Sequence, residues 1–198
     1  MLVWVCSRFE VRLGILILAA SAALCLIPAG VVSAKVFASQ QEALAEAFPN
    51  ASRIDRRTVI LRKKDAAKIA AITHEEVQAK VVVLHSAFKD DELLGYAHID
   101  VHNVRTKPEA LMIVLTPDGT VRSVRMLAFH EPLDYMPTDR WYAQFVGKTN
   151  QDGLRVGGDV HGVVGATLSA RAAADGVRRM LAYWEVLLRP AEVAEQAP

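Results

Sequence analysis

The sequence predicts an α+β fold in which a bulged antiparallel sheet is flanked by helices, with a long helix near the C-terminus. Two patterns predict the sheet: apolar and polar residues alternate over 94–104, and the apolar runs 111–115 and 121–127 flank the turn sequence Thr116-Pro117-Asp118-Gly119. Such alternation is typical of a strand with two different faces, and Pro-Asp-Gly between apolar runs indicates a β-hairpin. A third pattern, apolar residues at helical spacing between Ala173 and Leu188, predicts the long helix. Successive strands favour a meander over a parallel sheet.

The elements before the sheet are shorter. Residues 36–48 are rich in Ala, Gln and Glu and predict a helix. Residues 53–64 form a dense basic stretch around a short strand at 58–61, and the stretch is interpreted either as a solvated face or as a patch for a partner. Asp65 is expected to cap a helix that runs to Ile72. The β-branched run at 81–84 predicts a further strand.

Two helices are predicted after the sheet. Residues 138–146 follow a proline and place Trp141 and Phe145 on one helix face by their four-residue spacing. The last helix is expected to begin around Leu168 and to end at Pro190. The domain therefore spans residues 35–190, and the remaining tail, 191–198, is expected to be disordered.

The first 34 residues have the composition of a targeting segment. Arg8 and Arg12 precede a run from Leu13 to Ala34 that contains no charged residue. This is typical of a signal peptide, cleaved before Lys35, but the run is also long enough for a retained membrane anchor. Both interpretations place the domain in the periplasm or on the outer face of the cytoplasmic membrane.

Composition and charge exclude several functions. Both cysteines, Cys6 and Cys25, lie in the leader, so the domain has no disulfide, no thiolate nucleophile and no cysteine-based metal site. A balance of 23 basic and 22 acidic side chains argues against nucleic-acid binding. His98 and His102 share a strand face with Asp100, but without tight ligand spacing they are interpreted as core or surface residues rather than metal ligands. We find no catalytic pair or triad.

The start of the last helix has the chemistry of a phosphate site. Gly165 allows close approach of a ligand, Ala166 leaves that approach uncrowded, and Thr167 places a hydroxyl at the first helical turn. Unpaired N–H groups and the positive end of the helix dipole meet there and favour an anion. The alternative is that Thr167 is an ordinary N-cap residue.

Several motifs in order along the chain resemble the FMN-binding domain family. That family includes the small flavoprotein subunits of the sodium-pumping quinone reductase and of the ion-pumping ferredoxin oxidoreductase. The resemblance covers roughly a hundred residues and is carried by these segments: Gly95-Tyr96, Pro117-Asp118-Gly119 before the strand Val124–Leu127, His130-Glu131-Pro132, Tyr135-Met136-Pro137, Trp141 with Gln144-Phe145, Gly147-Lys148, and Val164 to Ala172.

The resemblance implies an electron-transfer flavoprotein rather than a stand-alone enzyme. It implies that a flavin transferase esterifies the phosphate of FMN to Thr167, that Gly165, Ala166, Leu168 and Ser169 shape the phosphate turn, and that His130 and Glu131 lie near the flavin. The expected partners are a membrane redox complex or electron-donor and electron-acceptor proteins, and no nucleic acid.

The sequence departs from the family at two motif positions. Asp usually stands six residues before the threonine and Ser or Thr three before it, whereas this chain has His161 and Val164. A flavin-free exported binding or assembly module of the same fold therefore remains the alternative. Two further roles stay open: Trp141 and Phe145 belong to the core or flank the flavin ring, and Arg171 is solvated or reaches the phosphate.

Overall fold

The computed structural model describes residues 35–189, which form a six-stranded sheet with four α-helices. The helices are α1 (Gln40–Ala47), α2 (Lys63–Thr73), α3 (Asp139–Tyr142) and α4 (Thr167–Tyr183). The strands are β1 (Lys35–Val36), β2 (Arg53–Ile60), β3 (Val81–Lys89), β4 (Glu92–Val104), β5 (Lys107–Leu115) and β6 (Val121–Phe129). Short 3-10 turns cover Leu133–Tyr135 and Ala143–Phe145, and a π-helical turn, Trp184–Leu188, extends α4. The predicted α+β class with a long last helix is confirmed.

The sheet is an open antiparallel meander with one added strand. Its order is β1-β6-β5-β4-β3-β2, and every neighbouring pair is antiparallel. The register shifts between Ala87 and Phe88, between Ala110 and Leu111, and between Val114 and Leu115. An extra residue at such a bulge bends its strand and increases the local twist. The predicted bulged sheet is therefore confirmed.

The main core lies between the sheet and α4. The predicted apolar stripe of this helix is buried there, with Ala173, Val177 and Met180 all 0% exposed. These side chains belong to one cluster with alternate residues of β5, such as Leu111 and Ile113. Alternate residues of a strand point to one face, so β5 contributes every second side chain to this core.

Helix α1 covers part of the opposite face of the sheet. Ala43 and Phe48 pack there against a second cluster that includes Met112 and Val114. The helix begins at Gln40 because Ser39 and Glu42 form a reciprocal capping box. The prediction that this helix starts at residue 36 was wrong, since Lys35 and Val36 pair with β6 instead.

Helix α2 begins two residues before the position predicted for its cap. Arg62 occupies the N-cap position, and Asp65 lies inside the first turn. The buried Asp65 carboxylate accepts a hydrogen bond of 2.7 Å from Arg62 Nε. Asp65 is therefore an ion-pair partner of Arg62 rather than a cap. The pair forms because the long Arg62 side chain folds back over the first turn of the helix.

Other element lengths also differ from the predictions. The strand predicted at 58–61 extends back to Arg53, and the one at 81–84 extends to Lys89, because pairing with neighbouring strands continues past the apolar runs. The helix predicted over 138–146 consists of α3 followed by a 3-10 turn. Thr138 caps it by accepting the N–H of Trp141 at 3.3 Å.

The predicted hairpin between β5 and β6 is confirmed. Gly119 has a φ of +87°, and its N–H donates to the Thr116 carbonyl at 3.0 Å. A Cβ atom added at Gly119 would lie 2.5 Å from the indole ring of Trp184. Glycine is thus required both by the backbone conformation and by the contact between this hairpin and the end of the last helix.

The leader (1–34), Pro190 and the tail (191–198) lie outside the described residues, and so do the predictions made for them. Within residues 35–189, no helix is both long enough and apolar enough to cross a membrane.

Candidate functional site

The candidate site is the N-terminus of α4, where the chain turns from an irregular loop into a helix of 17 residues. Gly165 has a φ of +80°, and a Cβ atom added there would meet nothing within 4 Å. Ala166 is the N-cap residue and provides no side-chain hydrogen bond. The helix begins at Thr167 rather than at Leu168, and Thr167 is its first residue rather than its cap. The interpretation of Thr167 as an ordinary N-cap is therefore wrong.

The backbone donors at this helix start are available to a ligand. The first N–H groups of a helix have no intrahelical acceptor, and no acceptor within residues 35–189 receives the N–H of Thr167, Leu168 or Ser169. Thr167 is exposed, whereas the side chain of Ser169 faces the interior and is 2% exposed. Three unpaired donors beside an exposed hydroxyl, at the positive end of a long helix, suit a phosphate monoester.

Of the two loop residues predicted to lie near the flavin, His130 and Glu131, only Glu131 lines a cavity at the start of α4. A small cavity of about 10 Å³ is lined by Glu131 together with Gly165, Ala166, Leu168 and Ser169. The turn Leu133–Tyr135, which directly follows Glu131 and Pro132, brings this loop against the helix. His130 does not line the cavity.

His130 and Glu131 each carry a buried polar atom without a partner. Glu131 Oε1 and His130 Nδ1 make no hydrogen bond to any described residue. A buried polar atom normally has a partner, and leaving it unpaired costs about 1–3 kcal/mol. The loop before the turn at 133–135 therefore retains hydrogen-bonding capacity beside the helix start.

Three residues of the cavity were not predicted as site residues. Val104 and Arg105, from the tip of the β4–β5 hairpin, and Tyr135 complete its lining. The Arg105 guanidinium lies 5.2 Å from the centre of the Tyr135 ring, which is within the range of a cation–π contact. Arg105 also has a φ of +52°. The contact between this turn and residues 165–169 was not predicted from sequence.

The described residues fit the phosphate end of FMN better than its ring. Pockets that enclose a ligand usually measure about 300–1,000 Å³, whereas the cavity at the helix start measures about 10 Å³. Apolar surface is nevertheless available beside Thr167, since Val164 is 103% exposed and Leu168 is 44% exposed. FMN bound at this helix would therefore depend on its phosphate for attachment.

Two residues of the loop before the helix, His161 and Asp159, make local hydrogen bonds. His161 is exposed, and its backbone accepts Trp141 Nε1 at 2.7 Å and donates to Gln144 Oε1 at 2.7 Å. Asp159 accepts the N–H groups of Leu154 and Arg155 at 2.6 and 2.7 Å. Burial raises the pKa of Asp159, but these backbone hydrogen bonds hold it below its ordinary value overall. The Asp159 carboxylate thus stabilises the loop by accepting hydrogen bonds from two of the loop's backbone N–H groups.

Phe145 and Trp141, whose role was left open from sequence, pack with the main core. Phe145 is 0% exposed and belongs to the main core, and Trp141 packs edge-to-face against it with ring centres 5.3 Å apart. Neither residue lines the cavity at the helix start. Arg171 is exposed and lines a separate surface depression with Arg155 and Arg178.

A buried ionic network lies under the C-terminal half of α4. His102 donates from Nδ1 to Asp100 at 2.6 Å and from Nε2 to Glu109 at 2.5 Å. Arg179 on α4 holds Asp100 through two hydrogen bonds of 2.7 and 3.1 Å, and it also contacts Glu75. The face of β4 that carries His98, Asp100 and His102 therefore packs under the helix.

The network shifts the ionisation of its members. Burial lowers the pKa of His102, but hydrogen bonds to Asp100 and Glu109 outweigh it and raise that pKa to about 9. Burial raises the pKa of Asp100, but hydrogen bonds from His102 and Arg179, with His98 Nε2 3.8 Å away, hold it well below its ordinary range. An imidazolium between two carboxylates at neutral pH is the arrangement that the geometry favours.

Neither this network nor the larger cavities belong to the helix start. No group of three or more His, Cys, Asp or Glu side chains in the described part of the chain could hold a metal ion. A cavity of about 530 Å³ borders Asp100, His102 and Arg179, and another of about 360 Å³ borders Thr73, Asn150 and Leu154. Thr167 lines neither.

Comparisons with known proteins add no assignment. No protein-family model matches the chain, and no curated protein matches it.

Proposed function

We propose that residues 35–189 form an electron carrier that holds FMN by its phosphate at the start of α4. The observation that carries the proposal is the exposed Thr167 hydroxyl on the first residue of an uncapped 17-residue helix. The motif resemblance, with Thr167 in the place of the esterified threonine, supports it independently. Bound FMN supplies one-electron or two-electron transfer, and the protein holds and orients it.

Each residue near the helix start has a distinct role in this proposal. The N–H groups of Thr167, Leu168 and Ser169 donate to the phosphate oxygens, and the open Gly165 turn leaves room for them. Arg105, at the edge of the same cavity, adds positive charge. The Glu131 carboxylate repels a phosphate, so its unpartnered Oε1 is better suited to accept a hydrogen bond from a ligand N–H or O–H group.

The covalent form requires an activated flavin donor. The Thr167 oxygen forms a bond to the flavin phosphorus, the phosphoanhydride bond of the donor breaks, and the leaving phosphate departs while the hydroxyl proton passes to solvent or to the transferase. No oxidation or reduction occurs in this step. Because Thr167 is exposed, a transferase could reach the hydroxyl without unfolding the helix.

The test is production of the full chain with and without a flavin transferase, followed by mass measurement and in-gel fluorescence. We expect a fluorescent band that survives denaturation, with a mass increase equal to FMN less one water. Thr167→Val should abolish it, whereas Thr58→Val, at another exposed threonine, should not. Colour that is lost on denaturation would show non-covalent FMN, and colourless protein that takes up no FMN would refute the proposal.

A second function, a flavin-free exported binding or assembly module, is favoured by a specific observation. The cavity at the helix start is about 10 Å³, too small to enclose a flavin ring. His161 and Val164 at the motif positions point the same way. Purified chain that stays colourless with the transferase, the activated flavin donor and excess FMN all present supports this function instead.

The proposed site serves an exported domain beside a membrane redox chain. A tether at the phosphate would prevent loss of FMN by dissociation, which matters most where no ring pocket retains the cofactor. The partners are accordingly a membrane redox complex or soluble electron donors and acceptors.

A further inference from the structure

Strand β2 forms an edge of the sheet, and no strand among residues 35–189 pairs with its outer side. The Leu61 N–H donates to the Lys80 carbonyl at 3.0 Å, at the point where β2 meets β3. Hydrogen-bonded residues alternate along an antiparallel pair, so the backbone groups of Arg56, Thr58 and Ile60 point away from β3. The opposite edge is different, because β1 and the segment at Gly147 and Lys148 cover much of β6.

This edge carries a concentrated positive charge. Between Arg53 and Lys68 the chain has seven basic and two acidic side chains, although the whole chain is nearly balanced at 23 and 22. Both acidic side chains are paired locally, Asp55 with Arg53 and Asp65 with Arg62. The remaining five basic side chains make no ion pair within the described residues: Arg56, Arg57, Lys63, Lys64 and Lys68.

Exposed aliphatic side chains lie at the same end of the edge. Ile60 and Val81 face each other across β2 and β3 and are 75% and 50% exposed. Lys80 directly precedes Val81 and is exposed, and Lys63 and Lys64 follow Ile60 in the first turn of α2. We name this set the basic corner: Arg56, Arg57, Ile60, Lys63, Lys64, Lys80 and Val81.

We propose that the basic corner binds the surface of an anionic phospholipid membrane. Lysine and arginine attract anionic headgroups without needing a fixed geometry, and exposed aliphatic side chains gain by entering the headgroup layer. An acidic protein would have to place carboxylates and an apolar patch at matching positions, whereas a fluid headgroup layer accommodates both kinds of side chain without a matched surface. The apolar run from Leu13 to Ala34 indicates that the chain is exported across a membrane or anchored in one. This surface is independent of the proposed flavin site.

The test uses the full chain in lipid nanodiscs, so that the leader is present in every sample. Amide hydrogen exchange is measured for peptides covering β2 on discs of phosphatidylcholine alone and on discs that also contain phosphatidylglycerol. We expect exchange in β2 to slow at least several-fold only with the anionic lipid. The slowing should disappear at about 1 M salt, where the Debye length is about 3 Å.

Matched variants distinguish binding by the basic corner from an effect of the total charge of the chain. Arg56→Gln/Lys63→Gln/Lys64→Gln should abolish the lipid-dependent slowing, and Ile60→Gln should weaken it. Lys107→Gln/Arg140→Gln/Arg155→Gln removes the same charge from exposed residues elsewhere and should leave the slowing intact. Far-UV circular dichroism checks that each variant is folded.

Three results overturn the proposal. The first is equal β2 exchange on neutral and anionic discs, and the second is slowing that persists in the corner variant. The third is equal slowing by soluble polyglutamate, which would show that negative charge suffices and would point to an acidic protein instead.

Discussion

Protonation of His102 is expected to set the pH dependence of folding above neutrality. Its pKa rises from the ordinary 6.5 to about 9 in the folded chain, and each pKa unit corresponds to about 1.4 kcal/mol. The imidazolium therefore contributes about 3 kcal/mol to the free energy of unfolding. Because the folded-state pKa is the higher one, this contribution is complete below pH 6.5 and is lost as the pH rises through about 9.

The assay is urea unfolding at a series of pH values, together with NMR titration of the His102 ring. We expect the free energy of unfolding to fall between pH 6.5 and about 9, with the ring titrating near the upper limit. Glu109→Gln removes one of the two carboxylates that the ring contacts, so it should lower the His102 midpoint and narrow this interval. His161→Gln is the control, since that exposed imidazole makes no hydrogen bond to any described residue.

Two outcomes would refute the reasoning: a His102 midpoint near 6.5, or stability that is flat across the interval in the wild-type chain. The other groups with shifted pKa values change the free energy of unfolding at other pH values. Burial lowers the pKa of His85, so its contribution changes below pH 6.5, and burial raises the pKa of Tyr96 and Tyr183, which act above pH 10.

Two glycine substitutions, with a third as control, test the packing of the last helix. Gly119→Ala should destabilise the fold by about 2–4 kcal/mol, from the positive φ and from the clash with Trp184. Gly147→Ala has a similar φ of +82° but open space, so thermal unfolding should show a loss of only about 1–2 kcal/mol; equal losses would exclude the Trp184 contact as the cause. Gly176→Ala gains about 1 kcal/mol of helix propensity, yet its Cβ would lie 2.7 Å from Asp100 Oδ2. A net loss of about 1–2 kcal/mol is therefore expected in urea unfolding, and a gain would contradict the close contact.

Much of the fold was predictable because its signals are local. Short stretches of sequence are enough to predict the turn at Thr116 to Gly119, the apolar stripe of α4 and the two faces of β4. The ends of the strands were less predictable because they depend on pairing with segments that are distant in sequence. β2 and β3 continue past their apolar runs because each pairs along its length with the other.

The surroundings of the candidate site were harder to predict than its helix. A glycine followed by a threonine at a helix start is visible in the sequence, but Arg105 reaches the site from a hairpin tip about sixty residues earlier in the chain. The histidines of β4 show the same limit. Their alternation was clear from sequence. Their burial beneath α4 depends on Glu109, which pairs with His102, and on Arg179, which pairs with Asp100, and these groups meet only in the folded chain.

The unpaired outer side of β2 also bears on how copies of this chain behave at high concentration. An edge strand of eight residues offers its free backbone groups to any second strand, including the same strand of another molecule. Joining two such edges would bring Arg56 and Arg57 of one copy close to those of the other, and their like charges would oppose the contact. Mutual repulsion between copies is therefore a second consequence of the same arginines, and high salt should promote self-association of the domain.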